Sequence, residues 1–342
     1  MPGIVSNRGP GMRKARDSSV DVLRGIAIIL VVLGHVIRGI IEGNQASIEA
    51  LTLVDRAIYS VHMPVLFYLA GYFTKLSLGR STRKEYIASR APNVLYPYLI
   101  WSVVYFVAGA VMVHVTHLNN QVMPGDLVRI GWDPITVLWF LYALLVMQVA
   151  AALTENRATF LLAAAVALDV VFSLAGWVET TGIAGKLFAH APYFFLGFWL
   201  AQRRRSVLPG ARSPASAFVA LTILFGVAVT VSHFAGVGTP VQAGTIPIGL
   251  AGGTALAFLS VTIARQGETL TARILEQLGR ASLGIYLLHV LILATVPRAL
   301  RALNLDSIAL TLVLGTVIGT GGSYLAFKLL ERARVAKYLS LR

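Results

Sequence analysis

The hydrophobic pattern of the chain consists of ten apolar blocks separated by short polar segments. A helix needs about 20 apolar residues to cross a membrane, and each block is about 17–24 residues long, so each predicts one span. The spans are expected at residues 20–41, 57–76, 93–116, 136–153, 159–177, 185–201, 217–235, 246–264, 282–300 and 308–330. The short turn at Thr154–Ala158 predicts a helical hairpin of the fourth and fifth spans.

The composition excludes most soluble classes. Hydrophobic residues make up 56% of the chain and charged residues 13%, whereas a typical soluble domain is about 45–50% apolar and about 25% charged. Disorder and a coiled coil are excluded by so apolar a sequence. The chain has no cysteine, which excludes disulfides, zinc thiolate sites and cysteine nucleophiles. No metal site is expected.

The basic residues predict the orientation of an all-α, polytopic membrane protein. The chain has 29 Lys and Arg against 15 Asp and Glu, a net charge of +14. With the N-terminus in the cytoplasm, 22 basic residues fall on the inner side and six on the outer side, and Arg24 lies within the first span. By the positive-inside rule both termini are cytoplasmic, and nucleic acid is not expected as a partner. We expect a cytoplasmic segment 1–19, a membrane domain 20–330 and a cytoplasmic tail 331–342. The first span is expected to stay uncleaved.

Titratable residues within spans are the first candidates for function, because burying them in lipid costs several kcal/mol. Arg24 and His35 are eleven residues apart, only about 20° from three full helical turns, so they share one face roughly 16 Å apart. Asp21 lies three residues before Arg24 and can pair with it. The alternative is that Arg24 extends to the headgroups and His35 bonds a neighbouring helix.

Further titratable residues allow structural and functional interpretations. His62 is expected at the depth of His35, where the two could face one cavity, or it could bond the backbone kinked by Pro64. A structural role is favoured for His289, and an interfacial position for His190. Asp169 needs a buried partner that the sequence does not identify.

Basic residues and glycines complete the list of candidates. Arg80, Arg83, Lys84 and Arg90 lie between the second and third spans, and Arg203–Arg205 follow the sixth. They can anchor the chain to anionic lipid or bind a phosphate-rich cytosolic ligand. The clusters Gly249–Gly253 and Gly315–Gly322 predict close helix packing.

Four ordered segments resemble the integral-membrane acyltransferase family 3, whose members acylate sugars of cell-surface and secreted glycans. The resemblance extends from about residue 17 to 330 of this chain. The second segment has the form that this motif takes in the fucose 4-O-acetylase-like branch of the family. The segments are Asp21-Val-Leu-Arg24 with Gly34-His35, Val61-His62-Met63-Pro64, Leu138-Trp139-Phe140-Leu141-Tyr142, and Ser282-Leu-Gly-Ile-Tyr-Leu-Leu-His289.

Two positions depart from the family pattern. The family often has Arg-x-x-Arg at the start of the third helix, but here Arg90 is followed by Asn93 at the second position. Arg80 and Arg83 have the required spacing earlier in the chain, so either that pair takes the role or Arg90 acts alone. The family motif usually continues His-Pro in the ninth span, where this chain has His289-Val290.

The resemblance implies transfer of an acyl group, acetyl in most such families, from cytosolic acyl-CoA to a hydroxyl of a cell-surface or lipid-linked sugar. His35 is then the general base, Arg24 engages the acyl donor, and His62 orients His35 or the acceptor. The donor side is expected to include Arg90, Arg80, Arg83 and Asp21. The expected location is the bacterial cytoplasmic membrane.

Other functions remain open at this point. One is a transporter or exporter that uses the intramembrane histidines as proton relays, although the sequence shows no internal repeat. The other is a catalytically silent lipid-binding or scaffold protein of the same fold. Direct transfer and an acyl-enzyme intermediate also both remain open, except that a thioester to the protein is excluded.

Overall fold

The computed structural model describes residues 17–43, 49–116, 124–210, 212–236, 246–305, 307–339 and 341. The predicted inner residues Arg8, Arg13, Lys14, Arg16 and Arg342 lie outside the described residues. Within the described ranges the regular structure is entirely helical, and helix ends are called inner or outer by the predicted orientation. The α-helices are α1 Ser18–Gly43, α2 Glu49–Tyr59, α3 His62–Leu78, α4 Arg83–Arg90, α5 Tyr96–Thr116, α6 Pro124–Arg129, α7 Trp139–Leu153, α8 Ala158–Leu174, α9 Trp177–Thr180, α10 Ile183–Gln202, α11 Pro214–Phe234, α12 Ile246–Arg265, α13 Leu270–Arg280, α14 Ser282–Leu293, α15 Val296–Ala302 and α16 Ile308–Arg332.

The predicted all-α, polytopic membrane architecture is confirmed. Among the described residues, eight helical stretches are long and apolar enough to span a membrane, and they correspond to eight of the ten predicted spans. The other two predicted spans are α3, with 17 residues, and α10, with 20 residues. These two helices pack against each other.

Several predicted boundaries differ from the structure. The second span begins at His62, because a break at Ser60–Val61 separates the amphipathic α2 from α3. The third span continues a helix that already begins at Arg83 and passes through a π-helical turn at Ala91–Leu95. The ninth span breaks after α14 at Ala294–Thr295 and resumes as α15, where Pro297 occupies the first turn.

Helix α1 is the centre of the bundle. It contacts α2, α3, α12, α13, α14 and α16. In its most apolar window 67% of the residues are buried, compared with 6% for α11 at the periphery. The residues that α1 carries are therefore surrounded by protein rather than lipid.

Glycines allow the close contact between α1 and α13, an amphipathic helix that the span pattern did not predict. A Cβ atom on Gly25 would collide with the backbone of Leu275, and one on Gly279 with the backbone of Asp21. The predicted packing role of the two glycine clusters is also confirmed, since Gly249 lies against Tyr193 and Gly319 against Val32 and Leu293.

The predicted hairpin of the fourth and fifth spans is wrong as a packing unit. A short turn joins α7 and α8, but α8 packs mainly along α10. Helix α10 also packs along α3. Helix α10 therefore lies between α8 and α3, and α8 does not pair with α7, its neighbour in sequence.

The predicted outer loop 117–135 is partly folded into the bundle. Three tyrosine hydroxyls donate to backbone carbonyls of residues 130–137, a stretch that we call the tethered segment. The bonds join Tyr98 to Ile130, Tyr142 to Gly131 and Tyr286 to Val137. The described part of this loop is thus fixed to α5, α7 and α14.

The α1–α13 contact makes a testable prediction. Gly25→Ala is expected to lower the stability of the purified protein by about 1–3 kcal/mol, because the added methyl must displace backbone rather than a flexible side chain. Thermal unfolding in detergent measures the effect.

Gly39→Ala is the matched control on the same helix, since no atom of the described residues lies within 4 Å of its Cβ position. This change is expected to be neutral or to stabilise by up to about 1 kcal/mol through helix propensity. Equal melting temperatures for the two variants would contradict the close contact.

Candidate active site

The outer half of α1 brings two histidines from distant parts of the chain together. The imidazole rings of His35, on α1, and His289, on α14, have centroids 4.9 Å apart. His35 is half-buried, whereas His289 is fully buried. Within the described ranges, neither ring nitrogen of His35 has a hydrogen bond to protein, so this ring is free to engage a substrate.

Two further histidines, His62 on α3 and His190 on α10, are buried in the bundle. His62 lies within electrostatic range of His35, His190 and His289, but its ring contacts Tyr59, with centroids 4.8 Å apart. The ring in contact with His35 belongs to His289. The structure also buries His190 between the rings of Phe67 and Trp139, so its predicted interfacial position is wrong.

Backbone carbonyls fix the tautomers of three of these histidines. The Nδ1 atoms of His62, His190 and His289 lie 2.7, 2.7 and 2.6 Å from the carbonyl oxygens of Ile58, Lys186 and Tyr286. A carbonyl oxygen only accepts, so each Nδ1 carries the proton, and in the neutral ring Nε2 is the acceptor. The Nε2 atom of His289 is buried without a hydrogen-bond partner in the described part of the chain.

An ion pair and a stacked ring close the outer end of the site, and the sequence analysis missed them. Nε of Arg38 lies 3.1 Å from Oδ1 of Asp55 on α2, and its guanidinium is 3.2 Å from the centre of the Tyr59 ring. Burial raises the pKa of the Asp55 carboxyl, while Arg38 opposes that shift. The available signal was the spacing of His35 and Arg38, which places both on nearly the same face of α1.

A second polar cluster lies at the inner end of α1. Asp21 is buried, with Oδ1 3.9 Å from Nη1 of Arg24 and Oδ2 3.3 Å from Nε of Arg280 on α13. Arg24 also lies over the ring of Phe73, 5.0 Å from its centre. The predicted Asp21–Arg24 pair is present. Because the Asp21 carboxylate is enclosed by protein cations, it is suited to holding Arg24 rather than to contacting a ligand.

The three arginines expected on the donor side lie on α4 and in the turn before it. Arg80 and Arg83 are exposed, whereas Arg90 is half-buried at the end of α4. Arg90 lies over the Tyr86 ring at 4.4 Å, and its Nη1 donates to Gln148 of α7 at 3.4 Å. Arg90 follows Arg83 by seven positions in the helix, which is close to two turns, so the two share a face roughly 10 Å apart.

Two further features, a buried carboxylate on α8 and an apolar cavity, lie among the helices. The carboxylate of Asp169 is buried on α8, and its Oδ2 has no hydrogen-bond partner among the described residues. The cavity has a volume of about 320 Å³ between α1, α3, α10 and α12. It is lined by apolar and aromatic side chains that include Leu23, Val65, Tyr68, Tyr193 and Ala257.

Comparisons with known proteins place this arrangement in context. A family model described as an acyltransferase domain matches residues 17–328. The nodulation protein NolL of Mesorhizobium japonicum is 27% identical over 197 residues, 56% of this chain and 50% of that protein. NolL of Sinorhizobium fredii is 30% identical over 188 residues, 55% of this chain and 49% of that protein. The matched region thus spans about half the length of these relatives, and no solved structure matches the chain.

The inner cluster generates a prediction about stability. Asp21→Asn is expected to destabilise the protein by about 2–3 kcal/mol, because it leaves two guanidinium groups facing each other without the buried carboxylate. The measurement is thermal or denaturant unfolding in detergent.

Glu276→Gln serves as control, because it removes the other carboxylate bound by Arg280, 2.8 Å away at the protein surface. An exposed ion pair of this kind is worth less than about 1 kcal/mol. If both variants unfold alike, the Asp21 carboxylate does not hold α1 to α13.

Proposed function

The chain belongs to the acyltransferase domain family, whose model matches residues 17–328, and on that premise we propose that it is a membrane O-acyltransferase. The proposed donor is acyl-CoA, with acetyl-CoA as the expected form. The proposed acceptor is a hydroxyl of a cell-surface or lipid-linked sugar, and the proposed location is the bacterial cytoplasmic membrane.

The observation that carries this proposal is the polar row on α1. It ends outward at His35, whose ring has no hydrogen bond within the described ranges, and inward at Arg24 beside Asp21. An imidazole with a free nitrogen is suited to take a proton near neutral pH. A guanidinium at the cytoplasmic end is suited to hold an anionic, cytosolic donor.

The reaction we propose uses His35 as general base. His35 takes the proton of the acceptor hydroxyl while the hydroxyl oxygen attacks the acyl carbonyl carbon. The carbon–sulfur bond of the thioester then breaks, and the CoA thiolate leaves with the proton returned from the imidazolium. The products are the O-acylated sugar and free CoA, and the protein returns to its starting state.

The length of α1 separates the roles of Arg24 and His35. Eleven residues of helix place them roughly 16 Å apart, whereas a hydrogen bond that polarises a carbonyl needs about 3 Å. Arg24 therefore acts on the donor at a distance from the reacting carbon. We assign to it the holding of the CoA portion, while the extended pantetheine arm carries the acyl group to His35.

The inner arginines are proposed to bind the CoA phosphates. Arg83 and Arg90 share a face of α4, and Arg80 is exposed in the turn before it. Guanidinium groups bind phosphate oxygens in a bidentate manner. In this proposal Arg90 acts together with Arg83, which replaces the missing second arginine of the Arg-x-x-Arg pattern.

Removal of the base or the donor contact is expected to abolish acylation. His35→Ala should lower the rate by about 10²–10⁴, the usual contribution of general-base catalysis, and Arg24→Ala should also remove detectable product. Mass spectrometry of surface glycans from cells with and without the protein identifies the acyl mass and the acceptor together. Release of CoA by purified protein then gives the rate.

His233→Ala and Arg273→Ala are the controls, since these residues lie on α11 and α13 and pair with the surface carboxylates of Glu49 and Glu268. Both control variants should acylate normally at equal expression. Normal acylation by well-expressed His35→Ala protein would refute the assignment.

The donor site makes a separate kinetic prediction. Arg90→Gln is expected to raise KM for acetyl-CoA about tenfold with little change in kcat, because one charge-assisted phosphate contact is worth about 1.5–3 kcal/mol. The effect should shrink at high salt. Arg273→Gln, which removes another inner arginine, should leave KM unchanged, and an unchanged KM in Arg90→Gln protein would exclude the contact.

A further inference from the structure

His289 has a bonding pattern that purely structural packing does not require. It is buried in α14, and its Nδ1–H donates to the carbonyl oxygen of Tyr286 at 2.6 Å. The opposite nitrogen, Nε2, is then an unprotonated acceptor, and it has no hydrogen-bond partner among the described residues. A buried acceptor without a partner costs about 1–3 kcal/mol, so a function for this lone pair is worth seeking.

Of the described rings that contact His289, only that of His35 has a donor available for the lone pair on Nε2. In the part of the chain that the structure describes, two aromatic or imidazole rings contact His289, those of Tyr286 at 5.7 Å and His35 at 4.9 Å between centroids. The Tyr286 hydroxyl donates to the carbonyl of Val137 in the tethered segment. Its proton is therefore already engaged, whereas the N–H of His35 has no protein acceptor within the described ranges.

We propose that His289 is a positioning residue for the acyl transfer, whose Nε2 accepts the N–H of His35. The centroid separation of 4.9 Å is compatible with a hydrogen bond between the two imidazole rings, in which the N–H of His35 is donated to Nε2. The proton of neutral His35 then resides on the nitrogen that faces His289, and the other nitrogen must be unprotonated. That second nitrogen is the one required to take a proton from the acceptor hydroxyl.

This proposal rests on the proposed function and assigns to His289 the orientation of His35 for which the sequence-based hypothesis named His62. The orienting role expected of His62 passes to His289, because the ring of His62 contacts Tyr59 rather than His35. The bond that Nδ1–H of His289 donates to the Tyr286 carbonyl oxygen is what makes His289 suitable, since it keeps the proton of this ring on Nδ1 and leaves Nε2 as an acceptor. Val137 in turn holds the Tyr286 side chain, so the tethered segment supports the whole arrangement.

Two conservative variants separate this role from a structural one. In His289→Gln the amide reaches the position of Nε2 and supplies an acceptor there, but the bond to Tyr286 is lost. In His289→Asn the shorter amide reaches the position of Nδ1 and keeps the bond to Tyr286, but nothing replaces Nε2. A positioning role requires an acceptor at the position of Nε2, which only His289→Gln keeps. A role in holding α14 requires the bond at the position of Nδ1, which only His289→Asn keeps.

The expected kinetic result is that His289→Asn lowers kcat by roughly 100-fold, in line with loss of an orienting partner or of general-base function. KM for acetyl-CoA should not change, and His289→Gln should retain most of kcat. If His289→Asn protein keeps full activity and His289→Gln protein loses it, His289 is structural and the proposal is overturned.

A spectroscopic measurement tests the same point without relying on activity. In protein labelled with ¹⁵N in its histidine rings, the His35 signals are assigned by their loss in His35→Phe protein. Wild-type and His289→Gln protein should show one protonated and one unprotonated His35 nitrogen, while His289→Asn protein should show exchange-averaged signals. An unchanged His35 tautomer in His289→Asn protein would overturn the proposal.

The two measurements distinguish failure of this inference from failure of the proposed function. A His35 tautomer that depends on His289, in a protein without acyl transfer, would retain the contact and reject the enzyme assignment. Loss of acylation in His35→Ala protein, with both His289 variants equal to wild type in rate and spectrum, would retain the enzyme and reject the role of His289.

Discussion

The cost of removing a charged or polar group from water determines how this bundle is arranged around α1. That helix carries Asp21, Arg24, His35 and Arg38, none of which is stable against lipid. Each end of the helix meets a partner from another helix, Arg280 on α13 at the inner end and Asp55 on α2 at the outer end. Helix α1, which carries these four groups, is consequently enclosed by other helices over most of its apolar length, whereas apolar helices such as α11 form the surface.

The same constraint divides the site into a rigid frame and one uncommitted ring. Arg24 is held by Asp21, while Arg38 is held by Asp55 and Tyr59. His62, His190 and His289 are each bound to a backbone carbonyl. Among these groups His35 alone has no hydrogen bond to the described protein. When the neighbours of a reactive group are already fixed, little free energy is needed to reorganise them during the reaction, which is the usual advantage of a preorganised site.

Much of the fold and part of the site followed from the sequence. Block length predicted the spans, and α14 begins at Ser282, the predicted first residue of the ninth span. Helical geometry also placed Arg24 and His35 on one face. Periodicity does not state which helix packs against which, so the contact of His35 with His289 and the burial of His190 were missed. Helix α13 has only 11 residues, so it is too short to be recognised as a span. The tethered segment depends on hydrogen bonds from side chains to backbone, which an apolar pattern does not reveal.

Several partners of α1 are synthesised long after α1 itself. Asp21 and Arg280 are 259 residues apart in the chain, and at about 5–20 residues per second a ribosome needs roughly 10–50 s to cover that distance. Throughout that interval the first span resides in the membrane before its main ionic and imidazole partners exist. The nascent first helix therefore has to be sheltered by water, lipid headgroups or the insertion machinery until the ninth span arrives. A chain released before that point would contain every residue of α1 and still lack an assembled site.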